Sequence, residues 1–275
     1  MIKSYSKINL TLRVLNKQKN NLHNIQSNVF LLNYFDEIKI KKIKNTKDII
    51  KFKGPFCKMV NKKNTVSETL NVLKSNKFIK SSYKIIINKK IPVFAGLGGG
   101  TGNAATLLKY FVKTIDNKII KVFEKKIGSD LRLFFYNQSY QKSITNLIKY
   151  KKKYKFYILL IYPNLKCSTK TIYSKVKKYS TYSKINYSHI KTENSFLKLL
   201  KNDKNDLENI VVKKYPVIKK LIKIINIQKG CLLARMSGSG STCFGIFSNI
   251  KNARSAQYKI KKKHPKYWSV VTKTI

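Results

Sequence analysis

The amino-acid sequence predicts an α+β fold built from two domains. Its 275 residues suffice for two modest domains, each with a core of its own. Segments with the period of a strand alternate with segments of helical period, but without the regular β-α-β rhythm of a parallel sheet, and this favours the α+β class. A polar, lysine-rich stretch at residues 141–155 separates the two halves, so we place the domains at residues 1–145 and 146–275.

The first element is a predicted half-buried strand at residues 6–14, "SKINLTLRV". Apolar and polar residues alternate strictly along it, which is typical of a strand with one face on the core. The apolar face carries Ile8, Leu10, Leu12 and Val14, and the polar face carries Lys7, Asn9, Thr11 and Arg13. The polar residues 16–24 predict a turn after this strand.

Further elements lead to a glycine-rich stretch. They are a strand at residues 38–43, a helix with one apolar stripe at residues 65–75 and a strand at residues 83–89. Beyond the glycines, the apolar residues between 104 and 111 predict a helix whose N-cap is Thr101 or Asn103.

The second half predicts another set of alternating elements. They are a buried strand at residues 156–162, a helical region near 206–226, a strand–turn–strand unit at 231–247, a helix near 250–262 and a final strand at 267–275. We find no internal repeat.

The composition excludes several classes of protein. No apolar run approaches the ~20 residues that a membrane-spanning helix needs, and the first residues lack the apolar core of a secretory signal. We therefore expect a cytoplasmic protein without a membrane partner. The four cysteines are scattered without a C-x-x-C pair, and the three histidines are isolated. This predicts reduced thiols, with neither a disulfide framework nor a His/Cys metal site.

The formal net charge of +48, taken alone, indicates a nucleic-acid-binding protein. However, only four of the 59 basic residues are arginines, the lysines are spread along the whole chain, and no nucleic-acid-reading motif accompanies them. Lysine, asparagine, isoleucine and tyrosine share AT-rich codons, so we interpret the charge as drift in an AT-biased genome. We expect weak, salt-sensitive binding to polyanions and no specific nucleic acid partner.

Five of the 11 glycines fall within seven positions of "IPVFAGLGGGTGNAATLLKYF", residues 91–111. Glycines cluster where φ must be positive or where a backbone must approach very closely. Between a strand and the start of a helix, the N–H groups of such a turn form a site for anions, especially phosphates. A simple tight turn with a helix cap is the alternative. The spacing matches neither the Walker A pattern nor the dinucleotide G-x-G-x-x-G pattern.

Five motifs resemble those of the GHMP kinase superfamily, and they occur in the family order between residues 6 and 247. The glycine stretch resembles the family's P-x-x-x-G-L-G-G-G-S-S-N-A-A loop, and "SYSKINLTLRV" resembles a P-A-K-I-N-L strand. "NNLHNIQS" is similar to D-G-Y-H-x-L-x-[ST], "IGSDLRLFF" to G-A-D-V-P-F-F, and "ARMSGSGSTCFGIF" to T-G-S-G-S-x-x-F. The K-I-N-L strand and His23 select the branch of the superfamily that phosphorylates a cytidine-diphosphate-linked methylerythritol.

The resemblance implies a two-domain GHMP kinase fold, with a ribosomal-protein-like N-terminal domain, a ferredoxin-like C-terminal domain and the active site in the cleft between them. It implies ATP as phosphoryl donor, Mg²⁺ as cofactor and the 2-hydroxyl of the methylerythritol as acceptor, in the non-mevalonate isoprenoid pathway. The residues that match the family's ATP-binding loop are Pro92, Val93, Phe94, Ala95, Gly96, Leu97, Gly98, Gly99, Gly100, Thr101 and Gly102. We expect ATP and the cytidylated methylerythritol to be the partners of this protein. We also expect the protein to be a monomer or a weak homodimer.

Asp130 matches the family's catalytic base, and Lys7 matches the lysine that lies against it. Phosphoryl transfer depends chiefly on positioning and charge neutralisation, with a carboxylate at the attacking hydroxyl. An ammonium nearby stabilises the charge that develops on that oxygen. The alternative is that Asp130 is an ordinary N-cap or loop carboxylate and that Lys7 is one of many solvated lysines.

The resemblance also implies a substrate site. His23 matches a histidine that reads the cytosine ring, Tyr173 an aromatic residue that stacks on it, and Asn9 is a candidate hydrogen-bond partner. The remaining substrate residues come from "ARMSGSGSTCFGIF" (the family's third motif) and are Ser237, Gly238, Ser239 and Gly240. A structural histidine, a packing tyrosine and a solvent-facing asparagine are the ordinary alternatives.

Three positions depart from the family pattern. Thr101–Gly102 replaces the family's Ser-Ser, Leu22 replaces a tyrosine that forms one side of the base sandwich, and Arg132 replaces a proline. These departures affect the expected catalytic efficiency and the expected affinity for the cytosine base. The expected reaction class is unchanged. The alternatives are another GHMP kinase, such as a homoserine or mevalonate kinase, a lysine-rich RNA-binding protein, and an inactive relic.

Overall fold

The computed structural model describes residues 1–18, 22–185, 187 and 190–275, so the predicted turn at 16–24 lies partly outside the described residues. In chain order the strands are β1 (Ile2–Asn9), β2 (Arg13–Lys17), β3 (His23–Ile43), β4 (Ile49–Lys53), β5 (Ser82–Asn88), β6 (Gln138–Gln141), β7 (Leu147–Lys149), β8 (Tyr157–Tyr162), β9 (Cys231–Met236), β10 (Cys243–Phe247) and β11 (Trp268–Lys273). The helices are α1 (Thr65–Ser75), α2 (Gly99–Phe111), α3 (Asn117–Ile127), α4 (Thr169–Tyr173), α5 (Glu193–Asn202), α6 (Glu208–Lys214), α7 (Pro216–Asn226) and α8 (Ile250–Lys263), with short 3-10 helices at Cys57–Met59 and Ser129–Phe135.

The chain forms two compact units, and neither is one continuous stretch. Unit 1 comprises Met1–Lys7, Tyr34–Val93 and Gly98–Tyr136, and unit 2 comprises Ile8–Asn33, Phe94–Leu97 and Asn137–Ile275. The chain therefore changes unit within β1, within β3 and twice within the glycine stretch. Both units contain helices and strands, which confirms the α+β class. The division into residues 1–145 and 146–275 stays a prediction.

In unit 1, β5 pairs in parallel with β4 and antiparallel with the second half of β3. Helix α1 packs against α2 and α3. Its apolar stripe, Val66, Leu70 and Leu73, is at most 1% exposed, which confirms the helix predicted there. Asn64 caps its first turn, because its side chain accepts hydrogen bonds from two backbone N–H groups.

In unit 2, β8 to β11 form an antiparallel sheet in the order β11-β8-β10-β9. Helix α7, between β8 and β9 in the chain, packs on β9 and β10, and α8 packs on β8 and β11. Strand order and connections are those of the predicted ferredoxin-like arrangement. The first half of β3 pairs with β2 and β6, and β6 pairs with β7. The core below the sheet includes Leu159, Ile161, Leu221, Ile225 and Phe247.

The strand predicted at residues 6–14 is wrong in two respects. It is interrupted, because β1 ends at Asn9, the chain bends at Leu10 and β2 begins at Arg13. Its polar face is also covered, with Asn9 and Thr11 only 3% and 1% exposed. Alternation identifies polar residues, but it cannot show that hydrogen-bond partners from distant segments bury them.

Two other elements differ from their predicted extents. The strand predicted at residues 38–43 is only the end of β3, which is 21 residues long. The helical region predicted near 206–226 is two helices, because Pro216 lacks an N–H and starts α7 as its first residue. In the part of the chain that the structure describes, no helix has the length and apolar character needed to cross a membrane.

Candidate active site

Lys7 and Asp130 come together in unit 1. Lys7 Nζ lies 3.5 Å from Asp130 Oδ2. Strand β1 delivers the lysine, whose side chain is 6% exposed, whereas the aspartate lies in the 3-10 helix Ser129–Phe135 and its side chain is 43% exposed. A nearly buried ammonium group thus lies next to a carboxylate that is partly exposed to solvent.

The 3-10 helix that carries Asp130 is anchored on both of its sides. Arg132 donates two hydrogen bonds to the Glu124 carboxylate of α3, from Nε at 2.6 Å and from Nη2 at 2.7 Å. Lys109 of α2 donates to the Phe134 carbonyl, and burial lowers the pKa of this lysine. The arginine that replaces the family's proline therefore forms a forked ion pair that holds the 3-10 helix carrying Asp130 on α3.

Helix α2 begins inside the glycines. Its first residue is Gly99 and its N-cap is Gly98, at φ +67° in the left-handed region. The predicted N-caps Thr101 and Asn103 are wrong, because the positive φ of Gly98 turns the chain into the helix earlier. Gly98 has no side chain with which to cap the first turn of α2. A helix start of this kind is suited to binding an anion through its first N–H groups, and phosphate binding here stays a prediction.

At two positions only glycine fits, because neighbouring atoms of unit 1 leave no space for a Cβ. A Cβ at Gly98 would lie 2.9 Å from Lys7 Cγ and 2.8 Å from Phe134 Cζ. A Cβ at Gly102 would lie 2.9 Å from both the Tyr5 carbonyl oxygen and Phe134 Cε1. The glycine that stands in place of the family's second serine therefore has no space for a side chain here.

The glycine loop comprises residues 92–102, and its middle, Phe94–Leu97, belongs to unit 2. There it contacts the third motif. A Cβ at Gly96 would lie 2.5 Å from the Ser237 carbonyl oxygen and 3.0 Å from that of Gly240. Ser237 Oγ donates to the Gly96 carbonyl and accepts from the Asn9 N–H, both at 3.2 Å. Asn9 Nδ2 in turn donates to Ser27 Oγ at 2.8 Å. Ser237 thus joins the loop to the end of β1.

The other residues of the third motif are also buried and bonded within the protein. The Gly238 carbonyl accepts from Asn205 Nδ2 at 2.8 Å, and the Ser239 and Thr169 hydroxyls lie 3.0 Å apart. The structure therefore gives this motif a role in shaping the loop region, and its direct contact with a substrate stays a prediction.

The remaining loop residues alternate between buried and open positions. Pro92, Ala95 and Leu97 are buried, Val93 and Thr101 are half-buried, and Phe94 and Gly100 are exposed. Phe94 has φ +57°, a left-handed conformation that is uncommon for a residue with a side chain. Its carbonyl accepts from the Cys167 N–H at 3.3 Å, which holds the turn in unit 2.

His23 and Tyr173 also come together, in unit 2. Their ring centroids lie 5.1 Å apart and the ring planes are tilted by 37°. Burial, and then the charge of Lys17, lower the pKa of His23, so the imidazole is neutral at neutral pH. Leu22, where the family has a tyrosine, directly precedes His23 in the chain and is 43% exposed.

One group was missed by the sequence analysis. Asp36 and Lys89 form an ion pair in unit 1 and are 0% and 2% exposed. Asn103 Nδ2, in the first part of α2, donates to the same carboxylate at 3.0 Å. The available signal was scarcity: the chain has only 11 acidic residues, and two of them, Asp36 and Glu37, stand next to each other in "YFDEI".

Comparisons with known proteins identify the fold and the family. The family model "GHMP kinases C terminal" matches residues 190–266. A crystal structure of a 4-(cytidine 5'-diphospho)-2C-methyl-D-erythritol kinase superposes with a TM-score of 0.74, at 19% identity, over 100% of this chain and 99% of that one. This likeness confirms the GHMP kinase fold.

Two relatives in sequence carry the same enzyme name. A 4-diphosphocytidyl-2-C-methyl-D-erythritol kinase of Pelagibacter ubique is 38% identical over 100% of this chain and 98% of its own length. One of Wolbachia sp. subsp. Brugia malayi is 32% identical over 97% of this chain and 96% of its own length. The chain therefore belongs to the 4-diphosphocytidyl-2-C-methyl-D-erythritol kinase family of the GHMP kinases.

Proposed function

We propose that this chain transfers the γ-phosphoryl group of ATP to the 2-hydroxyl of 4-diphosphocytidyl-2-C-methyl-D-erythritol. The observation that carries the proposal is the 38% identity, over the whole chain, to the Pelagibacter ubique relative of that name. The Lys7–Asp130 pair and the uncapped start of α2 supply the residues that this chemistry needs.

In the transfer, the substrate's hydroxyl oxygen attacks the γ-phosphorus, the bond to the bridging oxygen of ADP breaks, and the hydroxyl proton passes to the Asp130 carboxylate. Lys7 stabilises the negative charge on the attacking oxygen. The first N–H groups of α2 hold the phosphates. Because Lys7 is nearly buried and the Gly98 backbone lies against it, the ammonium is fixed before the substrate arrives.

Mg²⁺ belongs to the proposal as a metal that enters with ATP. Among the described residues, no group of three or more His, Cys, Asp or Glu side chains could hold a metal ion. Phosphate oxygens and waters would therefore be its main ligands, as is usual for Mg²⁺ in kinases, with the Thr101 hydroxyl in the first turn of α2 as a protein ligand. Held there, the metal would neutralise phosphate charge.

For the cytidine part of the substrate we propose the His23–Tyr173 pair. A tyrosine ring stacks on a base without needing a particular hydrogen-bond pattern. The neutral imidazole offers one donor and one acceptor to the edge of the cytosine ring. Asn9, held by Ser27 and Ser237, is the proposed hydrogen-bond partner of the methylerythritol part.

A panel of acceptors tests the proposed function. The purified protein is incubated with Mg²⁺–ATP and either the cytidylated methylerythritol, homoserine or mevalonate, and ADP release and the mass of the product are followed. We expect phosphorylated product from the cytidylated substrate alone. Product from homoserine or mevalonate would assign the chain to another GHMP kinase, and no product from any acceptor would indicate an inactive relic.

We further propose a cytoplasmic monomer or weak homodimer without a specific nucleic acid partner. Sedimentation velocity tests the oligomeric state. Titration with single-stranded RNAs of different sequence tests the meaning of the +48 charge. Binding that disappears at moderate salt and ignores sequence is expected of incidental charge, whereas sequence-dependent binding at physiological salt would favour a second function in RNA recognition.

A further inference from the structure

The carboxylate of Asp36 is fully buried and accepts four hydrogen bonds in unit 1. Oδ1 accepts from the backbone N–H groups of Lys90 at 2.8 Å and Ile91 at 2.9 Å. Oδ2 accepts from Asn103 Nδ2 at 3.0 Å and from the Lys89 ammonium. A carboxylate offers about four lone-pair sites, so all of the bonding capacity of this side chain is used.

The four donors flank the glycine loop on both sides. Lys90 and Ile91 directly precede Pro92, and Asn103 directly follows Gly102. Lys89 Nζ also donates to Asn103 Oδ1 at 3.1 Å, so the two ends are joined a second time. The loop of residues 92–102 is therefore closed at its base by a single carboxylate and its lysine.

We propose that Asp36 is a positioning residue that fixes the glycine loop in its phosphate-binding conformation, an inference that rests on the proposed role of that loop. Phe94, Gly96 and Gly98 all have positive φ, and such conformations persist only where the surrounding structure determines them. Fixing the two ends reduces the conformational freedom that phosphate binding would otherwise remove, and this favours binding.

A contribution to folding stability alone does not explain why Asp36 and Lys89 form a buried ion pair here. Buried ion pairs can often be replaced by apolar side chains of similar volume without loss of stability. The neighbouring Glu37 shows what a pair without the loop connection looks like. It binds the same segment through Lys90 Nζ at 2.8 Å and Asn88 Nδ2 at 2.9 Å, but Asn103 is not among its partners.

The test compares Asp36→Asn with Glu37→Gln as the matched control. For both variants and the wild type we measure the Kd for ATP by calorimetry, amide hydrogen exchange of residues 92–102 without nucleotide, and Tm. A third variant exchanges the two groups, Asp36→Asn with Asn103→Asp. In this variant the Oδ1 of the new asparagine can still accept from the N–H groups of Lys90 and Ile91 and its Nδ2 can donate to the new carboxylate at position 103, which also accepts from Lys89, so the two ends of the loop are joined again.

We expect Asp36→Asn to raise the Kd for ATP about tenfold or more and to speed exchange in the loop, because a charge-assisted network is lost. Glu37→Gln should change the Kd less than about twofold, the effect of a half-buried pair at most. The exchange variant should recover most of the loss. The inference would be overturned if Asp36→Asn lowered Tm but had the same Kd for ATP and the same hydrogen exchange in the loop as Glu37→Gln.

Two outcomes need separate readouts. If Asp36→Asn does not fold, Asn103→Ala cuts the connection at the end of the loop, together with the bond from Asn103 Nδ2 to Ser4 Oγ, and an unchanged Kd and unchanged loop exchange in that variant would also overturn the inference. If the wild type binds no ATP, the proposed function fails, while hydrogen exchange without nucleotide still decides whether Asp36 fixes the loop.

Discussion

The Lys7 ammonium lies 3.5 Å from the Asp130 carboxylate, with the lysine 6% exposed and the aspartate 43% exposed. The two charges therefore have different freedom. Packing fixes the lysine on β1, whereas the aspartate faces solvent, where an acceptor can approach. This is the division of labour expected of an electrostatic partner and a proton acceptor.

The first prediction concerns the proton acceptor. Asp130→Asn keeps the shape of the side chain but removes its charge and its basicity. We expect kcat to fall by about 10²-fold or more, the usual contribution of a general base, while the Kd for ATP changes little. Steady-state kinetics and calorimetry measure the two quantities.

Asp116→Asn is the matched control for this prediction. Asp116 caps α3 by accepting from the Ile119 N–H, and asparagine caps a helix equally well. Its kinetics should equal those of the wild type. Normal turnover in Asp130→Asn would assign the base to another residue.

The second prediction concerns the glycine at the start of α2. In Gly98→Ala, the new Cβ lies 2.9 Å from Lys7 Cγ. The alanine must also adopt the left-handed φ of residue 98. We expect a cooperative fold with kcat lowered at least about tenfold, because a displaced ammonium loses much of its electrostatic effect. Gly100→Ala is the comparison, since its Cβ meets only the Thr65 side chain, at 3.1 Å. An equal loss in both variants would show that crowding of Lys7 is not the cause.

The third prediction concerns the departure at Arg132. Arg132→Met leaves the Glu124 carboxylate buried without its forked partner. Breaking one side of a buried pair lowers the free energy of unfolding by about 3 kcal/mol or more, and urea unfolding measures this. We expect kcat to fall as well, because Asp130 lies two residues away on the same 3-10 helix.

The double variant Arg132→Met with Glu124→Leu separates stability from positioning. It leaves no buried charge unpaired, so the unfolding free energy should recover. A kcat that stays low in the double variant would show that the pair positions Asp130. Recovery of both quantities would mean that the arginine acts on stability alone.

The predictable parts of this protein are those that local pattern determines. The helix at residues 65–75 follows from its apolar stripe, and a tight turn before α2 follows from the clustered glycines. The pairing of Lys7 with Asp130 came from motif resemblance, because no local pattern links two side chains so distant in the chain. Asp36 was not predicted for the same reason: its partners lie in two other segments, and acidic residues are almost always exposed.

The fourth prediction is a pH dependence of the proposed cytidine site. The pKa of folded His23 lies below the usual value of about 6.5, chiefly because of burial. Above that pH the residue is neutral in both folded and unfolded chains and contributes no difference. As the pH falls below about 6.5, the unfolded chain takes up the proton first, so the folded state loses stability.

The same titration should appear in substrate binding. The KM for the cytidylated substrate should be constant above a pH of about 6.5 and rise below it, as the imidazole gains a charge and loses its acceptor nitrogen. His23→Asn should remove this pH dependence. A KM profile that is unchanged in His23→Asn would place the titrating group elsewhere.

The last prediction uses the aliphatic residue beside this histidine. Leu22 is 43% exposed and offers apolar contact, but it lacks the aromatic face that gives base stacking ~1–3 kcal/mol in single-stranded nucleic acid sites. In Leu22→Tyr we expect the KM for the cytidylated substrate to fall by up to about tenfold with kcat unchanged, because a remote group held equally in ground and transition states contributes uniform binding. The KM for ATP should not move, and Leu22→Met, which stays aliphatic, should behave as the wild type. A higher substrate KM would show that the pocket has repacked around Leu22. No effect, together with an inert Tyr173→Ala, would show that the cytosine ring does not bind at His23 and Tyr173.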